Sequence, residues 1–213
     1  EHKNQFTSLI VELKNSFRLD NFELAVTVLP NVNASLYLDV PSIKNYVDFI
    51  TLAAFDVYTP ARNPKEADYV APTLSVTDRN VEENVDYVST YLVANGFAGN
   101  KIVVGLPTYG RAWKIERDAT ITGSPPVAAE GPAPEAVQTR TQGLLSYPEI
   151  CTLLLNDHNK NLKGEHAPLR RIPDPTKRCR IYAVRVPDEQ GGYGVWVGYE
   201  DPESAGNKAS FVN

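Results

Sequence analysis

Asp48-Phe49-Ile50-Thr51-Leu52-Ala53-Ala54-Phe55-Asp56-Val57-Tyr58-Thr59-Pro60 is the stretch that sets the fold class. From Asp48 to Asp56 it reads as a strand in which Ile50, Leu52, Ala53, Ala54 and Phe55 form a nearly continuous apolar run. A strand with one wet face alternates; a continuous run suits a parallel strand covered on both faces. Two other runs share this texture. Phe22 to Leu29 carries β-branched residues and stops at Pro30, and Lys101 to Pro107 holds Ile102, Val103, Val104 and Leu106. Helices are expected between them. Phe6, Leu9, Ile10, Leu13 and Phe17 fall at helical spacing over residues 3–17. Pro41 opens a short helix through about Val47. After a loop punctuated by Pro60, Pro64 and Pro72, Asn80 or Asp78 caps a helix to about Ala94, stopped by Asn95-Gly96. Its inner face is Val81, Val85, Val88, Tyr91 and Leu92.

The resulting order, α-β-α-β-α-β, calls for parallel strands joined by right-handed crossovers. An open doubly wound sheet and part of a (β/α)8 barrel both satisfy it. Gly105 and Gly110 do not fit G-x-G-x-x-G, and no glycine-rich phosphate turn follows a strand, which favours the barrel. After Trp113 the rhythm stops: residues 114–196 hold nine of the sixteen prolines. Ile121 to Pro134 reads as a loop. Tyr147-Pro148-Glu149 opens a helix through Leu155. Arg180 to Val186 and Val195 to Tyr199 read as antiparallel strands around the Asp188 to Gly194 turn. The segment is expected to be a small α+β domain inserted after the third strand. Asp201-Pro202-Glu203 then starts a last helix, as an N-cap and first turn rather than an acid pair.

With 213 residues, 42% hydrophobic and 22% charged, the chain can bury an ordinary globular core. A net charge of −5 argues against nucleic acid as a partner. No apolar run is long enough to span a membrane. The chain begins at Glu1 and holds no methionine, so an upstream segment is expected. Asn33-Ala34-Ser35 is a glycosylation sequon and points to secretion. Cys151 and Cys179 leave three readings open: a mutual disulfide, two unrelated thiols, or a partner outside the chain. His2, His158 and His166 have no metal-ligand spacing, no G-x-S-x-G elbow occurs, and no cofactor is implied. Arg170, Arg171, Lys177, Arg178 and Arg180 form either a solvated strand edge or a contact for an acidic polysaccharide.

Candidate site residues cluster at strand ends. Asp56 closes the second strand, at the end where barrel sites are built, unless it only caps the following loop. Tyr58 lies two residues on. Tyr109, Arg111 and Trp113 alternate with Gly110 and Ala112 and would project to one side of an extended segment. Aromatic faces cover apolar sugar surfaces while polar groups fix hydroxyls, so this edge suits a carbohydrate. Alternatively, Trp113 packs the insertion against the barrel.

These segments resemble a known family. Leu52 to Pro60 is similar to the sixth barrel strand of family 18 glycoside hydrolases, and Gly105-Leu106-Pro107-Thr108-Tyr109-Gly110-Arg111-Ala112-Trp113 resembles the seventh. Leu145 to Cys151 and Val195 to Pro202 resemble the chitinase insertion domain and its exit. Val28 to Asn33, Phe55 to Pro64 and Tyr199 to Pro202 resemble the branch of insect imaginal disc growth factors. The likeness spans the chain. It implies an α/β fold: a partial (β/α)8 TIM barrel over residues 1–113, roughly strands five to seven with their helices. It further implies an α+β chitinase insertion domain over 114–200 and a return helix of the barrel over 201–213.

The resemblance also implies what the segment lacks. Family chitinases carry D-x-x-D-x-D-x-E, whose last glutamate is the acid in a substrate-assisted mechanism. That motif is absent here and is expected before Glu1; the strand supplying the tryptophan under the sugar is expected after Asn213. Active enzymes read Met-x-Tyr-Asp where this chain has Ala53-Ala54-Phe55-Asp56. Phe55 removes a hydroxyl of the kind whose loss costs about a hundredfold in rate. The expectation is therefore no catalytic residue and a vestigial glycan cleft of Phe55, Asp56, Tyr58, Tyr109, Arg111 and Trp113. Asn33 is expected to be glycosylated and Cys151 to pair with a cysteine outside the chain. The implied function is a secreted hemolymph growth factor or lectin that promotes cell proliferation and development without hydrolysis. Its partners would be a chitin-like oligosaccharide or a cell-surface receptor, and the remainder of its own barrel. A segment of an active chitinase, or a structural hemolymph or matrix protein with a blocked cleft, are the alternatives.

Overall fold

The computed structural model describes residues 2–116, 125–176, 178, 180–189 and 192–212. Lys177, Cys179 and the first part of the expected 121–134 loop lie outside them. In chain order the elements are α1 (His2–Phe17), β1 (Ala25–Val28), α2 (Val40–Ile43), β2 (Phe49–Leu52), β3 (Glu66–Ala67), α3 (Val85–Ala94), β4 (Ile102–Val104), β5 (Tyr109–Ile115), β6 (Val127–Pro132), β7 (Leu144–Ser146), α4 (Tyr147–Leu153), β8 (Arg170–Ile172), β9 (Tyr182–Arg185), β10 (Gly194–Gly198) and α5 (Pro202–Val212). They fall into two compact units, Glu1–Phe55 with Pro72–Leu106, and Asp56–Ala71 with Pro107–Asn213.

In the first unit β1, β2 and β4 form a parallel sheet in that order, Ala25 opposite Phe49 and Ile50 opposite Ile102. Chain order equals spatial order, so these three strands contain no topological switch point. Val26, Val28, Ile50 and Leu52 enter a core with Ile10, Ile43, Val85 and Leu92. Within residues 1–213 this core covers one face of the strands, while on the other Phe49 and Thr51 are half-buried and Ala25, Thr27 and Val103 are exposed. The α3 helix starts later than its sequence suggests. Asn84 is its cap, accepting from the Tyr87 amide at 2.9 Å, while Asn80 caps only a turn at Glu82 and Asp78 sits at φ 62°. Val81 is accordingly outside the helix and 62% exposed. Gly96 at φ 87° ends the helix as expected, a conformation without penalty for glycine.

The second unit is built on an antiparallel sheet of order β3-β6-β5-β10-β9-β8, with β7 also paired to β5. Here the third apolar run divides. β4 stops at Val104, and the Tyr109 to Trp113 segment is a separate strand, not a continuation. The Val195 to Tyr199 and Arg180 to Val186 strands pair antiparallel, Trp196 opposite Val184. Residues 127–132, expected as loop, are strand β6, with Val127 and Ala129 buried while Ala128 and Glu130 are exposed. Flanking prolines hide that short alternation. Both sheet faces are covered: one by Trp113, Tyr182, Val184 and Trp196, the other by Ala112, Ala183, Val195 and Val197 with Ile150. Trp196 stacks on Tyr182 at 5.3 Å between centroids and meets Trp113 edge-on at 5.7 Å.

A capping box starts α4: Ser146 accepts from the Glu149 amide, and Glu149 accepts from the Ser146 amide at 2.9 Å. Asp201 caps α5 by accepting from the Ser204 amide at 2.8 Å, as its sequence indicates. Within α5, Lys208 is 1% exposed and donates to Glu200 at 2.6 Å and to the Ala71 carbonyl at 2.9 Å. Among the described residues no helix is long and apolar enough to cross a membrane.

Candidate functional site

β5 presents Tyr109 and Arg111 on one face because strand side chains alternate. Their shared partner is Asp56, which stands at φ 58°, a left-handed conformation that aspartate tolerates better than most residues. Arg111 grips the carboxylate in a bidentate pair, Nε to Oδ1 at 2.8 Å and Nη2 to Oδ2 at 2.7 Å. The Tyr109 hydroxyl donates to Oδ2 at 2.8 Å, and the guanidinium lies 4.9 Å from the Tyr109 ring centre. Arg62 donates to the backbone carbonyls of Asp56 and Val57. No periodicity marks Arg62; only the turn Thr59-Pro60-Ala61, with the Arg62 amide donating to the Thr59 carbonyl, brings it back.

Burial by itself would raise the Asp56 carboxyl, but the Arg111 and Tyr109 hydrogen bonds outweigh it and hold it below the ordinary range. Burial and the adjacent carboxylate push Tyr109 up to about 12. The bond to Asp56 raises Arg111 further, against desolvation. Near neutral pH the three groups therefore keep fixed charges and a fixed phenolic proton. Such a cluster can exchange hydrogen bonds with a hydroxyl, and it offers no proton for transfer at that pH.

Gly110, between the two site residues, has no room for a side chain. A Cβ there would stand 2.7 Å from Ile150 Cδ1, 2.9 Å from Val197 Cγ1 and 3.0 Å from the Gly198 carbonyl. Trp113 does not join Tyr109 and Arg111 at the surface. It is fully buried, and its indole N–H donates to the Asn63 carbonyl at 2.8 Å. Tyr58 packs against the same aromatic core. Of the six residues expected in a cleft, the structure thus brings together Asp56, Tyr109 and Arg111, and carries Trp113 and Tyr58 into packing. Phe55 belongs to the first unit, where its ring lies against Gly105; a Cβ at Gly105 would meet Phe55 Cε1 at 2.9 Å.

The remaining candidates stand apart from this cluster. Asn33 Nδ2, the atom that would carry a glycan, donates to Glu82 at 2.8 Å, while its Oδ1 accepts from the Ser35 amide. Cys151 is an exposed free thiol on α4. In the basic stretch, Arg171 pairs with Asp201 and Glu203, both at 2.7 Å. Among the described residues no group of three or more His, Cys, Asp or Glu is placed to hold a metal ion. Buried charges escaped the sequence reading, among them Asp68, Arg185 and Lys208, because nothing in the spacing marks them.

The model of glycosyl hydrolases family 18 matches residues 1–213. The chain is 51% identical over 213 residues to chitinase-like protein Idgf4 of Glossina morsitans morsitans, covering 100% of this chain and 48% of that protein. It thus spans about half the length of the curated relatives it matches. Its fold superposes on catalytic domain 2 of the Ostrinia furnacalis group II chitinase with a TM-score of 0.80 at 25% identity, over 99% of this chain and 50% of the other. Human YKL-39, a pseudo-chitinase with retained chitooligosaccharide binding properties, superposes with a TM-score of 0.78 at 25% identity, covering 99% and 54%.

Proposed function

The chain belongs to the glycosyl hydrolases of family 18, and from that premise we propose that it is part of a secreted, non-catalytic chitinase-like growth factor that binds a chitin-like oligosaccharide or a cell-surface receptor. The observation that carries this is the Asp56–Tyr109–Arg111 cluster, half-buried and locked in one protonation state. It is preorganised to hold a polar ligand. Phe55 agrees, since it has no hydroxyl where the active enzymes resembled by this chain have a tyrosine. The likeness to an Idgf protein and to a pseudo-chitinase that retains chitooligosaccharide binding supports the same reading.

In this proposal residues 1–113 are the part of a (β/α)8 barrel around strands five to seven, 114–200 the chitinase insertion domain and 201–213 a return helix. Asp56–Ala71 and Pro107–Trp113 are then the barrel segments that pack within the second unit. Secretion into hemolymph, a glycan on Asn33 and a disulfide from Cys151 to a cysteine elsewhere in the full-length protein complete the reading. The test is titration of the full-length protein with chitotetraose by calorimetry, alongside a chitin-hydrolysis assay. Binding without release of sugars is expected, and Arg111→Ala should weaken it at least about tenfold, roughly 1.4 kcal/mol. Release of oligosaccharides from chitin would instead identify the active-chitinase alternative.

A further inference from the structure

Asp56 is held at its backbone as well as at its carboxylate, and the two sets of bonds come from different elements. The peptide group joining Asp56 to Val57 is gripped at both ends: its carbonyl accepts from Arg62 Nη2, and its amide donates to the Val70 carbonyl at 3.0 Å. The same Nη2 donates to the next carbonyl, that of Val57, at 3.2 Å. Arg62 reaches both because a turn brings it back. Its amide donates to the Thr59 carbonyl at 3.1 Å, and the Asn63 amide donates to the same oxygen at 2.7 Å. Thr59 is buried, and Trp113 ties the turn to β5, its indole N–H donating to the Asn63 carbonyl at 2.8 Å. Trp113, which shares the parity of Tyr109 and Arg111 without reaching the surface, thus fixes the turn that carries Arg62. Arg62 is itself exposed, so folding does not depend on burying it.

A residue at positive φ other than glycine persists where its surroundings over-determine it, and Asp56 stands at φ 58°. A bidentate pair with an arginine also demands that the carboxylate be presented at one angle, which a rotation of the backbone beside it would spoil. We propose that Arg62 is the positioning residue of this site: by donating to the Asp56 and Val57 carbonyls it holds the left-handed turn from which the Asp56 carboxylate meets Arg111 and Tyr109. The proposal takes its ligand from the glycan reading, and adds to it a residue outside the cluster on which binding depends. The charged and titratable groups around the carboxylate are Arg111 and Tyr109 from β5 and Arg62 from the turn. Of these, Arg62 alone makes no hydrogen bond to the carboxylate, so its hold on the site runs through the backbone.

NMR of the full-length protein with isotope-labelled aspartate tests it, the Asp56 carboxyl signal being assigned by its loss in Asp56→Asn. In the native protein the acid midpoint of that signal should lie below the ordinary 3.8. Arg62→Ala should raise the midpoint, because a carboxylate no longer aimed at Arg111 and Tyr109 loses the bonds that lower it. The same variant should weaken chitotetraose at least about fivefold, the scale of one hydrogen bond. Both differences should persist in about 0.5 M salt, where screening over about 4 Å removes the influence of an exposed charge. Arg62→Lys, whose ammonium can donate to the same carbonyls, should recover most of both. A side chain that only stabilised the fold would move the thermal melt and leave the Asp56 titration alone. An unchanged midpoint in Arg62→Ala, or a rise that salt abolishes, would overturn the proposal. A raised midpoint in a protein whose native form does not bind chitotetraose would sustain the positioning role and overturn the glycan reading instead.

Discussion

Asp56 accepts three side-chain hydrogen bonds from two residues, and it is the acceptor on which Tyr109 and Arg111 both depend. Asp56→Asn keeps the shape but removes the charge facing a half-buried guanidinium. A loss of about 2 kcal/mol in urea unfolding is expected, in line with hydrogen bonds to charged groups. Because the folded group titrates below its ordinary 3.8, its contribution is full above that value and is lost as pH falls through the lower folded value. The gap between native and Asp56→Asn stability should therefore be constant from pH 7 to about 5 and close only in stronger acid. A gap that closes between pH 7 and 5 would contradict the carboxylate's assigned state. Tyr109 and Arg111 were legible in the sequence because they share one strand parity, and Asp56 because the apolar run ends at it, although β2 itself stops at Leu52 and Asp56 stands beyond the strand at φ 58°. Trp113 has that parity too, yet it is core. Spacing gives the face of a strand, while depth depends on Trp196 and Tyr182, which arrive from residues far along the chain.

Helix α4 shows how a short element is fixed by its first turn rather than by its seven residues. The Glu149 carboxylate would be raised by burial, but four donors bring it down to about 2. Its stabilisation is thus present above the ordinary 4.5 and lost as pH falls from there through about 2. Glu149→Gln should cost about 2 kcal/mol at pH 7, and thermal melts should show the deficit shrinking below pH 4.5. Ser146→Ala, which removes the cap but leaves the acid, should cost about 1 kcal/mol. The start of α4 was readable from Tyr147-Pro148-Glu149. The start of α3 was not, because Asp78, Asn80 and Asn84 are all competent caps. Only Asn84 precedes residues whose apolar side chains, Val85 and Leu92, reach a core. Strand β6 was missed for a related reason: its buried positions are a valine and an alanine, too small a signal against the prolines around them.

The two units place different demands on the rest of the protein. The parallel sheet pairs β1 and β4 on one side only, and exposes Val103 on its open face and Leu106 just beyond β4. Residues 1–213 expressed alone should therefore self-associate, and analytical ultracentrifugation should show concentration-dependent species; a sharp, cooperative melt of a monomer would refute this. In the second unit, Lys208 and Glu200 form a buried pair with Ser204, which donates to Glu200 at 2.5 Å. Lys208→Met strands a carboxylate that is 4% exposed at its side chain and should cost about 3 kcal/mol; adding Glu200→Gln should restore most of it. The parallel class and the paired β9 and β10 were visible as apolar runs, but the antiparallel role of residues 109–115 was not, since one run of sequence feeds two different sheets. That strand also limits how the protein can diversify. Tyr109 and Arg111 are separated by a glycine against which the opposite layer is already pressed, so if the proposed glycan site holds, drift toward new preferences has two adjustable letters here, and the one letter between them is frozen by the packing of Ile150 and Val197.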